Sequence, residues 1–208
     1  MTIQTIPVGM LSTNCYLAYR DPAAAVIVDP GDDPRAILAA VKAVGATVKA
    51  ILLTHGHFDH ILAARALADA LNAPVVALRE EAPILADPGL NLSRIYVEET
   101  ALTADRLVDD GEILSFDGLT CRVIHTPGHT AGGCCYFFEK EGILFSGDTL
   151  FFHSHGRTDS PTGSDGAMAA SLRQLLSIEG DATVYPGHGE PTSLTDERRF
   201  WRYGGDGV

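Results

Sequence analysis

Thr54-His55-Gly56-His57-Phe58-Asp59-His60 follows directly on the apolar run Val48-Lys49-Ala50-Ile51-Leu52-Leu53. Three imidazoles and a carboxylate thus fall within six residues, just past a segment that reads as a strand covered on both faces. Metal-binding side chains rarely crowd so closely without a metal to hold. Neutral imidazole is the commonest metal ligand in proteins and suits zinc, iron and nickel. The stretch predicts a metal-dependent hydrolase, provided that the rest of the chain supplies partners.

Upstream of it, Thr2–Val8, Asn14–Tyr19 and Ala24–Asp29 read as strands, and Asp33–Val44 reads as a helix. Asp33 is placed to cap that helix, Pro34 suits its first position and Gly45 stops it. Downstream, apolar periodicity predicts one continuous helix over Asp59–Leu71 and a strand at Pro74–Leu78. Residues 79–103 carry weak signals, with short helices expected around Glu80–Ala86. The second half predicts strands at Glu112–Phe116, Leu119–His125, Cys134–Glu139 and Gly142–Phe145, the last two joined by a hairpin at Lys140-Glu141-Gly142. A polar loop over Gly156–Asp165, a helix over Asp165–Ile178, a strand at Thr183–Tyr185, a helix over Leu194–Tyr203 and a frayed tail complete the chain. Two successive halves of strands then helices suggest two packed sheets with helices outside both.

Three later turns could complete the ligand set. His129 lies in Pro127-Gly128-His129-Thr130, Asp148 in Gly147-Asp148-Thr149-Leu150-Phe151, and His188 in Pro186-Gly187-His188-Gly189. Each follows an apolar strand and sits beside a glycine, where the backbone can bend tightly. Loops of this kind can open together at one sheet edge.

Bulk properties narrow the function classes. The 208 residues suffice for one domain, spanning 1–208, and carry a net charge of −12. That charge disfavours general binding to nucleic acid or acidic membranes and leaves a small-molecule substrate. No basic start with an apolar core and cleavage site occupies residues 1–30, so a cytoplasmic location is expected. Cys15, Cys121, Cys134 and Cys135 form no CxxC pair and read as buried thiols. No sequence feature indicates an oligomeric state.

Taken in order, THxHxDH, PGHT, GDTLF and PGHG strongly resemble the metallo-β-lactamase fold superfamily, and within it the short glyoxalase II-like hydrolases. The resemblance covers nearly the whole chain and implies a four-layer αββα sandwich with two divalent metal ions. Zinc is the first choice, with iron or manganese as the others. His55, His57 and His129 would hold one ion; Asp59, His60 and His188 would hold the second; Asp148 would bridge them. Two ions about 3.5–4 Å apart can clamp both the attacking and the leaving atom. Asp59 would also orient the metal-held hydroxide. The family activity implied is hydrolysis of thioesters such as S-2-hydroxyacylglutathione.

Candidates around that set follow from the residues. Asp29 ends an apolar strand, where it either orients a ligating imidazole or simply turns the chain before Pro30. Thr54 and Thr126 flank the ligand segments. Arg157 in Gly156-Arg157-Thr158-Asp159 could bind a substrate carboxylate or pair with Asp159 or Asp165, and His153 and His155 are further candidates for substrate contact. The basic C-terminal helical domain of the long glyoxalase II form does not follow His188, and Asp159 stands near where that form has tyrosine. Two rival activities share the fold. One is a persulfide dioxygenase using a single iron on His55, His129 and Asp148; the other is hydrolysis of lactones or β-lactams.

Overall fold

The computed structural model describes residues 1–203. The first half forms β1 (Thr2–Val8), β2 (Thr13–Asp21), β3 (Ala24–Val28), α1 (Pro34–Val44), β4 (Val48–Leu52), α2 (Phe58–Ile61), α3 (Ala64–Leu71), β5 (Val75–Leu78), α4 (Ala82–Ala86), α5 (Ser93–Tyr96) and β6 (Arg106–Val108). Its six strands pair in sequence order, antiparallel from β1 to β3 and parallel from β3 to β6. The second half forms β7 (Ile113–Phe116), β8 (Leu119–His125), β9 (Cys134–Phe138), β10 (Ile143–Gly147), β11 (Leu150–Phe151), β12 (Ser154–His155), α6 (Asp165–Leu176), β13 (Thr183–Pro186), β14 (Thr192–Ser193) and α7 (Leu194–Tyr203). Here the sheet order is β14-β13-β10-β9-β8-β7, with β10 and β13 parallel; β11 and β12 form a small separate hairpin.

Alternation along the strands sorts the apolar side chains into three layers. Ala25 and Ile27 of β3 face Ile37 and Val41 of α1 and Leu67 of α3. Their neighbours Val26 and Val28 face the other sheet, among Tyr136, Phe138 and Phe145. On the far side, Cys135, Phe137 and Leu144 pack with Met168, Leu172 and Leu175 of α6. Three buried layers require four layers of backbone, and the expected αββα sandwich results. Each fully buried large aliphatic side chain contributes about 1.5–3 kcal/mol.

Cys134 and Cys135 point into different layers, and all four cysteines are free and buried. Burial raises their thiol pKa values, to about 12 for Cys121 and Cys135, so they pack as apolar groups.

Local signals held where the chain supplies its own caps. Asp33 accepts from the Ala36 N–H at 3.2 Å, and Gly45 closes α1 at φ 65°. The predicted helix over Asp59–Leu71 is instead two helices. The Ala63 N–H donates to the Pro30 carbonyl at 3.0 Å, outside the helix. The Asp59 carbonyl meanwhile packs so closely on Gly31 that a Cβ there would overlap it. β6, α5 and the β11–β12 hairpin add elements that the sequence reading left out, each too short to show a period. The β9–β10 connection is a single 3₁₀ turn over Glu139–Glu141. The expected frayed tail lies outside the described residues.

This topology brings the C-terminal ends of β3, β4, β8, β10 and β13 to one edge. Across that edge the two halves are joined by hydrogen bonds. The Asn14 N–H donates to the Gly187 carbonyl and the Cys134 N–H to the Thr54 carbonyl, both at 2.8 Å. Tyr16 and Tyr136 donate their hydroxyls to the Pro186 and Leu53 carbonyls at 2.6 and 2.9 Å. No helix among the described residues is long and apolar enough to cross a membrane.

Candidate metal centre

The residues after those strand ends converge. His55 and His57 leave β4, Asp59 and His60 ride on the single turn of α2, His129 follows β8, Asp148 follows β10 and His188 follows β13. His57 Nδ1 lies 2.8 Å from His129 Nε2, and the His55 ring sits 4.9 and 4.8 Å from those two rings. A second group has His188 Nε2 at 3.3 Å and His60 Nε2 at 3.5 Å from Asp59 Oδ2. Asp148 lies between the groups. Its Oδ1 is 3.6 Å from His60 Nε2, and its Oδ2 is 3.4 Å from His129 Nε2 and 3.6 Å from His188 Nε2. Within each trio the donor atoms lie within 4.8 Å of one another.

These residues fit divalent cations. His55 Nε2, His60 Nε2 and Asp148 Oδ1 are buried and have no hydrogen-bond partner. Each such orphan costs about 1–3 kcal/mol, a penalty that a shared cation relieves. Gly187 keeps the space open, since a Cβ there would strike Asp148 Oδ1 and come within 2.7 Å of His60 Cε1. A mixed imidazole and carboxylate set suits zinc, iron or manganese. His57 Nε2 is also buried without a partner, and nothing in the structure accounts for it.

The protein groups alone push His55 and His57 in one direction and His60 in the other. Burial, and next the surrounding imidazoles, hold His55 well below its ordinary pKa. Burial and then His129 bring His57 down to about 3. His60 is equally buried, but the Asp59, Asp148 and Asp29 carboxylates outweigh that burial and raise it to about 10. Burial opposes ionisation of Asp59 as well, yet His60 and the hydrogen bonds from His188 and Thr13 hold its carboxyl well below the usual range.

Supporting contacts fix the orientations. Asp29, at φ 49°, accepts from the Thr54 N–H and hydroxyl at 2.8 and 2.6 Å and meets His60 Nδ1 at 3.0 Å. That leaves His60 Nε2 to face the other ligand candidates. Asp29, His55 and His60 also lie close enough to hold an ion, but Asp29 is already committed to these three partners. Thr54 Oγ1 further approaches His55 Nδ1 at 3.2 Å. Thr126 reaches no ligand candidate; its hydroxyl meets Thr149 at 2.9 Å, behind Asp148.

Three contributors have no sequence signal. Thr13 donates its hydroxyl to Asp59 Oδ2 at 2.7 Å. The Arg157 backbone carbonyl meets His129 Nδ1 at 2.7 Å, whereas its exposed guanidinium pairs with both oxygens of Asp159 at 2.6 and 3.0 Å. Glu81 is fully buried, accepting from the Gly56 N–H at 2.7 Å and the Thr130 hydroxyl at 3.1 Å. It thereby ties the segment carrying His55 and His57 to the one carrying His129.

The exposed His153 and His155 sit elsewhere. His153 stacks on Phe200 of α7 at 4.3 Å and His155 on Trp201 at 5.9 Å, and neither lines the cavity containing His57, Asp59, His129, Asp148 and His188. Both rings pack against the last helix.

The chain is similar to known proteins over nearly its whole length. A family model described as the metallo-beta-lactamase superfamily matches residues 8–188. The hydroxyacylglutathione hydrolase GloC of Haemophilus influenzae is 32% identical, with 96% of each chain covered. A crystal structure of the BLEG-1 B3 metallo-beta-lactamase superposes with a TM-score of 0.90 at 40% identity, covering 95% of this chain and 97% of that one. A structure of TTHA1623 in a di-iron-bound form gives 0.83 at 36% identity, covering 94% and 97%.

Proposed function

Because this chain belongs to the metallo-beta-lactamase superfamily, we propose that it is a binuclear metallohydrolase acting on thioesters or related esters. His55, His57 and His129 would hold one cation, Asp59, His60 and His188 the other, and Asp148 would lie between them. Divalent cations bound there would lower the pKa of water from 15.7 to about 7 and would polarise a carbonyl oxygen.

The chain's own residues supply the rest. Asp59, held ionised and fixed by Thr13, presents an acceptor at the cavity wall that orients the attacking water through a hydrogen bond. The water oxygen bonds to the carbonyl carbon, the carbon–sulfur bond breaks, and the thiolate leaves with the electron pair. The proton that the water gives up passes to the thiolate or to solvent. Arg157 fixes the His129 ring through its carbonyl. The buried thiols, with pKa values raised, are unsuited to act as nucleophiles.

The observation that carries this reading is the convergence of seven side chains from four separated segments, with orphaned donor atoms turned inward. GloC, named for hydroxyacylglutathione hydrolysis, makes thioesters the first class to assay. The test is purification in metal-free buffers, elemental analysis and a panel of thioesters, lactones and a chromogenic β-lactam. About two metals per chain and thioesterase activity lost with a chelator are expected. One tightly held iron with oxygen-dependent turnover would overturn the hydrolase reading.

A further inference from the structure

Beside the ligand candidates lies a cavity of about 350 Å³ with one wall that the catalytic groups do not supply. Leu11, Phe58, Leu92, Tyr96 and Phe151 form it. The wall continues outward as exposed apolar surface. Among the described residues six large apolar side chains are exposed, and Met10, Leu11, Ile95 and Tyr96 are four of them. All four belong to two segments flanking this cavity, the turn between β1 and β2 and the end of α5. Exposed apolar groups gathered at one site mark a surface that is covered when in use. Tyr96 is held there by Phe58, whose ring stacks on it at 5.3 Å and 19°. Phe58 in turn sits between His57 and Asp59, so the apolar wall and the reactive edge are parts of one unit.

The polar content of this wall is nearly cancelled. Arg157 is its cation, and Asp159 occupies the guanidinium through both oxygens. The pair is exposed and so weak, but it puts an anion wherever the cation would draw one. The protein as a whole carries a charge of −12.

We propose that the substrate is a thioester or ester with an apolar body, seated between Leu11 and Tyr96 while its carbonyl meets the metal centre, and that these two side chains select it by length. This rests on the hydrolase reading above. The apolar body could be the acyl chain or the leaving group, and both present the same chemistry to the wall.

Two thioester series separate these sources. One lengthens the acyl chain from acetyl to hexanoyl on a fixed small neutral thiol; the other lengthens the thiol on a fixed acetyl group. In one of them kcat/KM should rise about fourfold per methylene, the value expected of a methylene fully removed from water. The paired change Leu11→Ser and Tyr96→Ser should collapse the hexanoyl-to-acetyl ratio towards one; both residues are at least half exposed, so folding is not at risk. Ketone analogues, with a methylene in place of the sulfur, should show the same length dependence in calorimetric binding to the metal-free protein. Flat series in rate and binding, or S-lactoylglutathione turned over faster than every apolar thioester, would overturn the inference and leave the hydrolase reading standing. Length-dependent ketone binding without hydrolysis of any thioester or ester would defeat the hydrolase reading and the substrate assignment with it.

Discussion

Around His55, His57 and His129, burial and neighbouring imidazoles dominate, and two of the three rings are pushed towards the neutral form. Around His60 and His188, carboxylates dominate, and both imidazoles are pushed towards the charged form despite burial. His55 and His57 offer a cation neutral nitrogen lone pairs. The second offers it negative charge but contests the position with a proton. Two sites a few ångströms apart thus differ in what a cation must displace, which is how one cluster can grip two ions unequally.

The largest expected effect breaks the second trio alone. Asp59→Ala should lower turnover at least about 10²-fold, in the range of misplacing a reacting group, and reduce bound metal from about two ions to about one. Elemental analysis beside the thioester assay reads both, and unchanged turnover would count decisively against the assigned role.

A second experiment probes what holds the first trio together. Burial pushes the Glu81 carboxyl from 4.5 up to about 7, against the hydrogen bonds that favour its ionised form. As pH rises, the unfolded chain releases this proton near 4.5 and the folded chain only near 7. Between these values the folded state binds more protons, so this stabilising contribution is full below 4.5 and lost as pH passes 7. Glu81→Gln removes that dependence. Urea unfolding across this window should show the wild type losing up to about 3 kcal/mol more than the variant, at 1.36 kcal/mol per pKa unit. Parallel pH profiles would refute the buried, protonated state.

The smallest effect separates backbone from side chain. Since Arg157 holds His129 by its carbonyl, Arg157→Ala should leave metal content unchanged and stability within about 0.5 kcal/mol. Loss of the ion held by the imidazole trio would mean that the guanidinium does more than pair with Asp159.

The ligand candidates were legible because metal chemistry restricts residue type and the glycine-flanked turns declared themselves locally. The α1 caps were legible for the same reason, since Asp33, Pro34 and Gly45 act within one helix. Glu81 and Thr13 were not. Their partners lie 25 and 46 residues away, and nothing in a glutamate beside a glutamate, or a threonine before an asparagine, announces such a meeting. The contribution of Arg157 was hidden differently, because a carbonyl oxygen belongs to every residue. The break between α2 and α3 escaped the apolar period because it is imposed by Pro30 and Gly31, which pack on that turn from outside it.

Asn14 donates its side-chain amide to the Pro186 and Gly189 carbonyls at 3.1 and 2.9 Å, bracketing His188 from the other end of the chain. During synthesis, β13 leaves the ribosome after the other strands that carry ligand candidates. A nascent chain therefore carries six of the seven ligand candidates before the clasp around His188 can form and complete the cluster.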